Sequence, residues 1–205
     1  MSEPAYTRLD VDERRRRLLA LGRELFAQHS YDELSMAGIA RAAGISKALL
    51  YHYFPSKQDY FQATLATAAQ QLRELTEPDP ELPPIEALSA SLEAYLGWIE
   101  DNQLAYTKLI QGATSHAEVR GLIDQIRDAT SARIVDGLAQ GRPVPGQVRA
   151  AVRAWLWYMD GACTDWVEHH DYTREQLRDL LLGTLFGAVT AAGGAELFAA
   201  THPRR

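Results

Sequence analysis

The segment Ser35-Met36-Ala37-Gly38-Ile39-Ala40-Arg41-Ala42-Ala43-Gly44-Ile45-Ser46-Lys47-Ala48-Leu49-Leu50-Tyr51-His52-Tyr53-Phe54 constrains the chain more than any other feature, because it reads as two short helices crossed about one glycine. Ser35 is a suitable N-cap for the first, whose Met36, Ile39, Ala40 and Ala43 form an inward stripe before Gly44 ends it. Ser46 caps the second, in which Leu50 and Phe54 face inward four residues apart. Ala40 and Ala43 are small enough to let the helices approach, and Ile45 with Leu50 plugs the corner. The second helix then presents Lys47, Ala48, Tyr51, His52 and Tyr53 outward. This small, basic and aromatic surface suits a major groove, which admits one helix with its N-terminal residues against base edges. Ser35 and Ser46 cap their helices with or without nucleic acid, and Tyr51 lies either outward or half in the core.

Apolar residues elsewhere recur at three and four rather than two, which predicts an all-α protein. A first helix is expected over about 11–28, with Leu18, Gly22, Leu25 and Phe26 on one face. Pro55-Ser56 ends the second crossed helix, and Ser56 with Asp59 caps a helix extending to about Leu75. The run Thr76-Glu77-Pro78-Asp79-Pro80-Glu81-Leu82-Pro83-Pro84 is too rich in proline to continue it. Further helices are expected at about 85–101, 103–111, 116–140, 147–169 and 173–198, the last opened by a Thr173/Gln176 capping box. The predicted organisation is a helix-turn-helix domain over 1–56 and a larger helical domain over 57–205.

The N-terminal pattern resembles the TetR family of bacterial transcriptional regulators. The matching residues are Leu25-Phe26, Tyr31, Ser35, Ile39-Ala40, Ala43-Gly44-Ile45-Ser46, Leu50-Tyr51, Tyr53-Phe54 and Lys57, within about residues 14–61. The remainder matches only as a helical body of suitable size. The resemblance implies a homodimer that binds a palindromic double-stranded DNA operator and is released by a small-molecule effector. Carried over by position, Ser35 and Lys57 would hold phosphates, while Ser46, Lys47, Ala48, Tyr51 and Tyr53 would lie on or along the groove, with helix-start amides adding phosphate contacts. Three positions depart from the pattern. Ser30 replaces a glycine that closes helix 1, where a left-handed serine costs about 1 kcal/mol. Gly38 stands where an acidic residue often completes the capping box, and Gly22 replaces a common alanine.

Charge divides along the chain. Residues 1–57 carry nine Lys/Arg against seven Asp/Glu, whereas the rest carries twelve against twenty, so a net charge of −6 hides a basic head. Arg14 to Arg17 supply much of that head's charge, and either lie along phosphates or form a solvated face.

The segments 148–159 and 180–192 are apolar over more than one face, as expected of helices covered on all sides. A second copy is the simplest extra cover, and Gly183 with Gly187 allows close approach. The resemblance implies the same pairing, through the helices at about 147–169 and 173–198. Two such heads would need to sit about 34–36 Å apart to read a palindrome.

Tyr95, Trp98, Tyr106, Trp155, Tyr158, Met159 and Cys163 line either a core or a largely apolar or aromatic effector pocket, and Asp160 is either paired or ligand-reading. A coupling of on the order of 1–3 kcal/mol between effector and operator, passed along the helix beginning at Lys57, would suffice for release.

Catalytic constellations are thin. In the His169-His170 cluster only Asp165 and His169 share a face, the single Cys163 has no base nearby in sequence, and there is no phosphate loop or nucleophile elbow. No enzyme activity, cofactor or metal is expected. The polar start Met1-Ser2-Glu3-Pro4-Ala5 and the absence of a long apolar run predict a cytoplasmic protein with no membrane partner. A helical adaptor for other proteins is the remaining alternative, distinguished by whether the chain binds DNA.

Overall fold

The computed structural model describes residues 8–115 and 117–199, and every regular element among them is helical. In chain order these are α1 (Arg8–Gln28), α2 (Met36–Ala42), α3 (Lys47–Tyr53), α4 (Lys57–Leu75), α5 (Pro84–Asp101), α6 (Gln103–Ser115), α7 (Ala117–Ala139), α8 (Gly146–His169), α9 (Arg174–Ala191) and α10 (Glu196–Ala199). No helix among the described residues is long and apolar enough to cross a membrane. The expected start Met1 to Ala5 lies outside them. The chain divides into two compact units: one runs to Gln71 and takes in Leu104–Val119, and the other comprises Leu72–Gln103 and the chain from Arg120 onward. The unit holding α2 and α3 thus extends past residue 56 along α4.

Its core is built where α1 meets α4. Leu18, Leu19, Gly22 and Phe26 are buried on α1, and Tyr60, Phe61 and Thr64 on α4. The aromatic rings interlock, with Phe26 edge-on to Phe61 at 4.6 Å, Phe54 to Tyr60 at 4.9 Å and Tyr31 to Phe61 at 5.0 Å. The Tyr60 hydroxyl donates to the Leu18 carbonyl at 2.6 Å, and burial pushes its pKa above the ordinary tyrosine range. Gly22 makes this approach possible: a Cβ there would lie 2.5 Å from Thr64 Oγ1 and 2.8 Å from the Tyr60 hydroxyl.

Helix α1 ends differently from a glycine-closed helix, as the cost of a left-handed serine implies, since Ser30 is not among the residues of positive φ. Instead the Glu33 carboxylate accepts from the Ser30 N–H at 2.6 Å, and this bond holds the Glu33 carboxyl below its usual range.

In the second unit α8 and α9 pack lengthwise. Leu177, Leu181, Leu185 and Val189 line one face of α9 at intervals of four, against Val148, Val152, Trp155, Leu156, Met159, Cys163 and Trp166 of α8. The Trp155 indole N–H bonds to the Leu181 carbonyl at 2.9 Å and Thr184 Oγ1 at 3.2 Å. Arg174 and Arg178 of α9 reach Glu93 of α5, and Arg174 also reaches Glu100 at 2.7 Å. These pairs are partly exposed, so they orient α5 more than they stabilise it.

Two helix ends differ from expectation. The helix expected to stop before Gly112 runs to Ser115, since an isolated glycine costs a helix only about 1 kcal/mol and no proline follows. The helix expected to reach 198 stops at Ala191. Gly193 is left-handed at φ +82°, its N–H bonds to Thr190 O and that of Gly194 to Val189 O, which is a Schellman closure. Gly194 is also sterically required, because a Cβ there would lie 2.8 Å from both Val148 Cγ2 and Val189 Cγ1. The short α10 follows, and Arg142 after α7 donates to the carbonyls of Glu196 and Leu197.

Candidate nucleic-acid interface and effector pocket

The geometry of α2 and α3 follows from four local devices. Ser35 Oγ accepts from the Gly38 N–H at 3.1 Å, a one-way cap because Gly38 has no side chain to return the bond. Gly44 takes φ +65°, its N–H bonds to Arg41 O and that of Ile45 to Ala40 O, closing α2 as a Schellman motif. Ser46 Oγ accepts from the Leu49 N–H at 3.1 Å and starts α3 at once. Inward, Met36, Ile39, Ala40 and Leu50 are buried. With one side of α3 buried through Leu50, the other is turned to solvent.

That outward side carries most of the sequence-predicted residues. Ser35, Ser46, Lys47 and Ala48 are exposed. Tyr51 is 40% exposed, which resolves its two alternatives in favour of the surface, and the Lys47 ammonium sits 5.6 Å from its ring centroid. Tyr53 is half-buried between His52 and Phe54. Arg41 and His52 are exposed as well. His52 follows Ala48 by four residues on one helix face, a spacing that marks it in the sequence.

Lys57 is placed differently from the rest. It is half-buried, donates to the carbonyls of Tyr31 at 3.1 Å and Leu34 at 3.2 Å, and lies 4.1 Å from the Tyr31 ring centroid. The arginine run divides. Arg16 and Arg17 pair with Glu13 along the surface of α1, while the Arg15 guanidinium lies 5.3 Å from the Phe54 ring centroid.

The eight candidate pocket residues fall in both compact units. Tyr106 is buried in the unit that contains α2 and α3, and the other seven belong to the second unit. Tyr95 and Trp98 are half-buried on α5, Trp155 is committed to the α8–α9 core, and Met159 and Cys163 are buried beside it. Asp160 proves to be paired: it accepts from Arg127 Nε at 2.8 Å and Nη2 at 2.6 Å, with both side chains about 15% exposed. Arg127 also bonds to Asp124, and its guanidinium lies 3.8 Å from the Trp157 ring centroid. Burial raises the Asp160 pKa and Arg127 opposes the shift without cancelling it. A cleft of about 350 Å³ is lined by Glu100, Trp166, His170, Tyr172, Arg174 and Glu175 among others, and by none of the eight. It is a polar, open site, separate from that candidate set.

The outer side of α8 and α9 is apolar and uncovered in the single chain. Trp157 is 60% exposed, Leu180 45% and Tyr158 42%, and the Cβ positions of Gly161, Gly183 and Gly187 meet nothing within 4 Å.

Comparison with known proteins agrees with this geometry. Residues 18–64 match bacterial regulatory proteins of the tetR family, and residues 84–188, half of the chain, match the tetracyclin repressor-like C-terminal domain. The HTH-type transcriptional activator FasR of Mycolicibacterium smegmatis is 32% identical over 112 residues, covering 51% of this chain and 48% of that protein. The match therefore spans about half the length of that relative. YhgD of Bacillus subtilis, an HTH-type transcriptional regulator, is 24% identical over 77% of this chain and 86% of its own length. A tetR-family regulator from Streptomyces coelicolor superposes with a TM-score of 0.79 at 25% identity, covering 94% of this chain and 90% of that one. The chain belongs to the TetR family of bacterial transcription regulators, DNA-binding proteins rather than enzymes.

Proposed function

We propose that this regulator binds a palindromic operator as a homodimer and is released by a small, largely apolar or aromatic effector. The observation that carries the reading is α3, a helix capped by Ser46 and turned outward with Lys47, Ala48 and Tyr51 at its start. In a major groove Lys47 would reach base edges or a flanking phosphate, Tyr51 would read base edges, and Ser35, Ser46 and Tyr53 would flank them. The uncovered face of α8 and α9 supplies the self-complementary surface that a two-fold dimer requires, with Trp157 and Tyr158 as aromatic anchors and the glycines allowing close helix approach. Helix α4 belongs to both compact units, the first up to Gln71 and the second from Leu72, which makes it a continuous element for coupling effector to operator, as α7 is across Val119 and Arg120. Tyr95 and Trp98, half-buried and aromatic on α5, are pocket candidates outside the α8–α9 core.

An activator reading has one specific support, because the FasR relative acts in that sense. The same apparatus serves either sign, and a promoter–reporter strain with and without the gene separates them.

The test is binding of the purified protein to its own upstream DNA and to a scrambled duplex at two salt concentrations. Retention of the specific duplex alone at the higher salt supports the proposal. Simultaneous loss of both would leave only non-specific charge and would favour an adaptor.

A further inference from the structure

Trp157 is 60% exposed in the single chain, yet one side of its ring is occupied. The Arg127 guanidinium of α7 lies 3.8 Å from the ring centroid, within the range of a cation–π stack. That guanidinium is itself fixed from two directions. Its Nε and Nη2 donate to Asp160 of α8 at 2.8 and 2.6 Å, and Nη1 donates to Asp124 of α7 at 2.9 Å. The Arg127 and Asp160 side chains are 14% and 15% exposed, and a pair so desolvated is a weak source of stability. Its geometric effect is clearer, because it sets a planar cation against an exposed indole on the neighbouring helix. Both helices lie in the second compact unit at these residues.

A large side chain loses rotamer freedom when a partner covers it, which weakens binding about 2- to 12-fold for each one immobilised. The Arg127 stack removes that freedom before association. The surface around the indole fits a second copy of this chain. Between Arg153 and Asp165 the exposed residues of α8 are Ala154, Trp157, Tyr158 and Gly161, none of them charged. The charges at the two ends are of opposite sign, so the face is complementary to a copy of itself running the other way.

We propose that Arg127 is a positioning residue for homodimer formation: clamped by Asp124 and Asp160, it holds Trp157 in the orientation that the second copy meets. The inference rests on the outer face of α8 and α9 being the dimer surface.

Sedimentation velocity of the full-length protein over a range of concentrations, without DNA, gives the dimer dissociation constant. Arg127→Lys keeps a cation for Asp160 but loses the planar surface over the indole. Arg127→Gln combined with Asp160→Asn keeps a hydrogen-bonding pair without buried charge, and replaces the lysine variant if circular dichroism shows that one unfolded. With two clamps per dimer, either change should raise the dissociation constant about 5- to 150-fold. In a Trp157→Leu background the same changes should alter it less than about twofold, because no ring remains to be held.

An unchanged constant in the protein that retains Trp157 would overturn the proposal. Equal weakening with and without Trp157→Leu would overturn it too, since Arg127 would then act through the packing of α7 on α8 and not through the ring. A parent protein that stays monomeric at every concentration would remove the dimer reading and this inference with it, a result recognised without any variant.

Discussion

Replacing Gly22 by alanine tests how the DNA-binding unit is closed, because two opposed effects of known size meet at that residue. In an isolated helix the change is favourable by about 1 kcal/mol. Here the new Cβ would lie 2.5 Å from Thr64 Oγ1, 2.8 Å from the Tyr60 hydroxyl and 3.0 Å from Tyr60 Cζ. Neither neighbour has free space: Tyr60 is fully buried, and Thr64 is 2% exposed and bonded to the Tyr60 carbonyl. Overpacking of this kind costs about 1–3 kcal/mol. Displacing Tyr60 also breaks its bond to Leu18 O and leaves a dry hydroxyl, which adds about 1 kcal/mol. The expected net loss is about 1–3 kcal/mol, read as a lower urea midpoint with unchanged slope in circular dichroism. Thr64→Ala removes the nearest atom, so the double variant should recover at least about 1 kcal/mol relative to additivity. A Gly22→Ala protein as stable as its parent would refute the close approach of α1 and α4.

Three further outcomes are expected. Trp157→Glu places a charge on the uncovered face of α8, and sedimentation should show a monomer where the parent is a dimer; an unchanged dimer would remove that face from the interface. Tyr51→Ala should weaken binding and relax sequence preference, whereas Lys47→Ala should weaken operator and scrambled DNA more evenly, both read in competition titrations. For Asp160 the folded pKa lies above the unfolded value, so the folded chain binds the extra proton and the group's contribution is full below the ordinary aspartate pKa. That contribution is lost as pH rises through the folded pKa. The stability of the parent relative to Asp160→Asn should therefore fall as pH rises from about 3, then level toward neutrality; a rising difference would contradict the assignment.

What could be read in the sequence about the fold and the candidate interface is what short-range geometry controls. Ser35, Ser46, Ser56 with Asp59, and Thr173 with Gln176 cap their helices through bonds spanning three residues, so their spacing suffices to identify them. Gly44 likewise signals the turn between α2 and α3, and the period of the apolar residues signals an all-helical chain. From these the outward side of α3 followed almost residue by residue.

Tertiary packing decided the rest, because helical spacing fixes the direction of a side chain around its own axis but not what stands opposite. Gly22 reads only as a replacement for alanine until Tyr60 and Thr64 are seen against it, and Gly194 lies inside an expected helix until Val148 fills the space of its missing side chain. Asp160 reads as either paired or ligand-reading until Arg127, 33 residues away, closes on it. Lys57 carries no sign in sequence of the carbonyls of Tyr31 and Leu34, more than twenty residues upstream, to which it donates in the packed unit. The aromatic residues of the body carry no label in sequence for core or pocket, and their division between two compact units and an α8–α9 core arises only when the helices are packed.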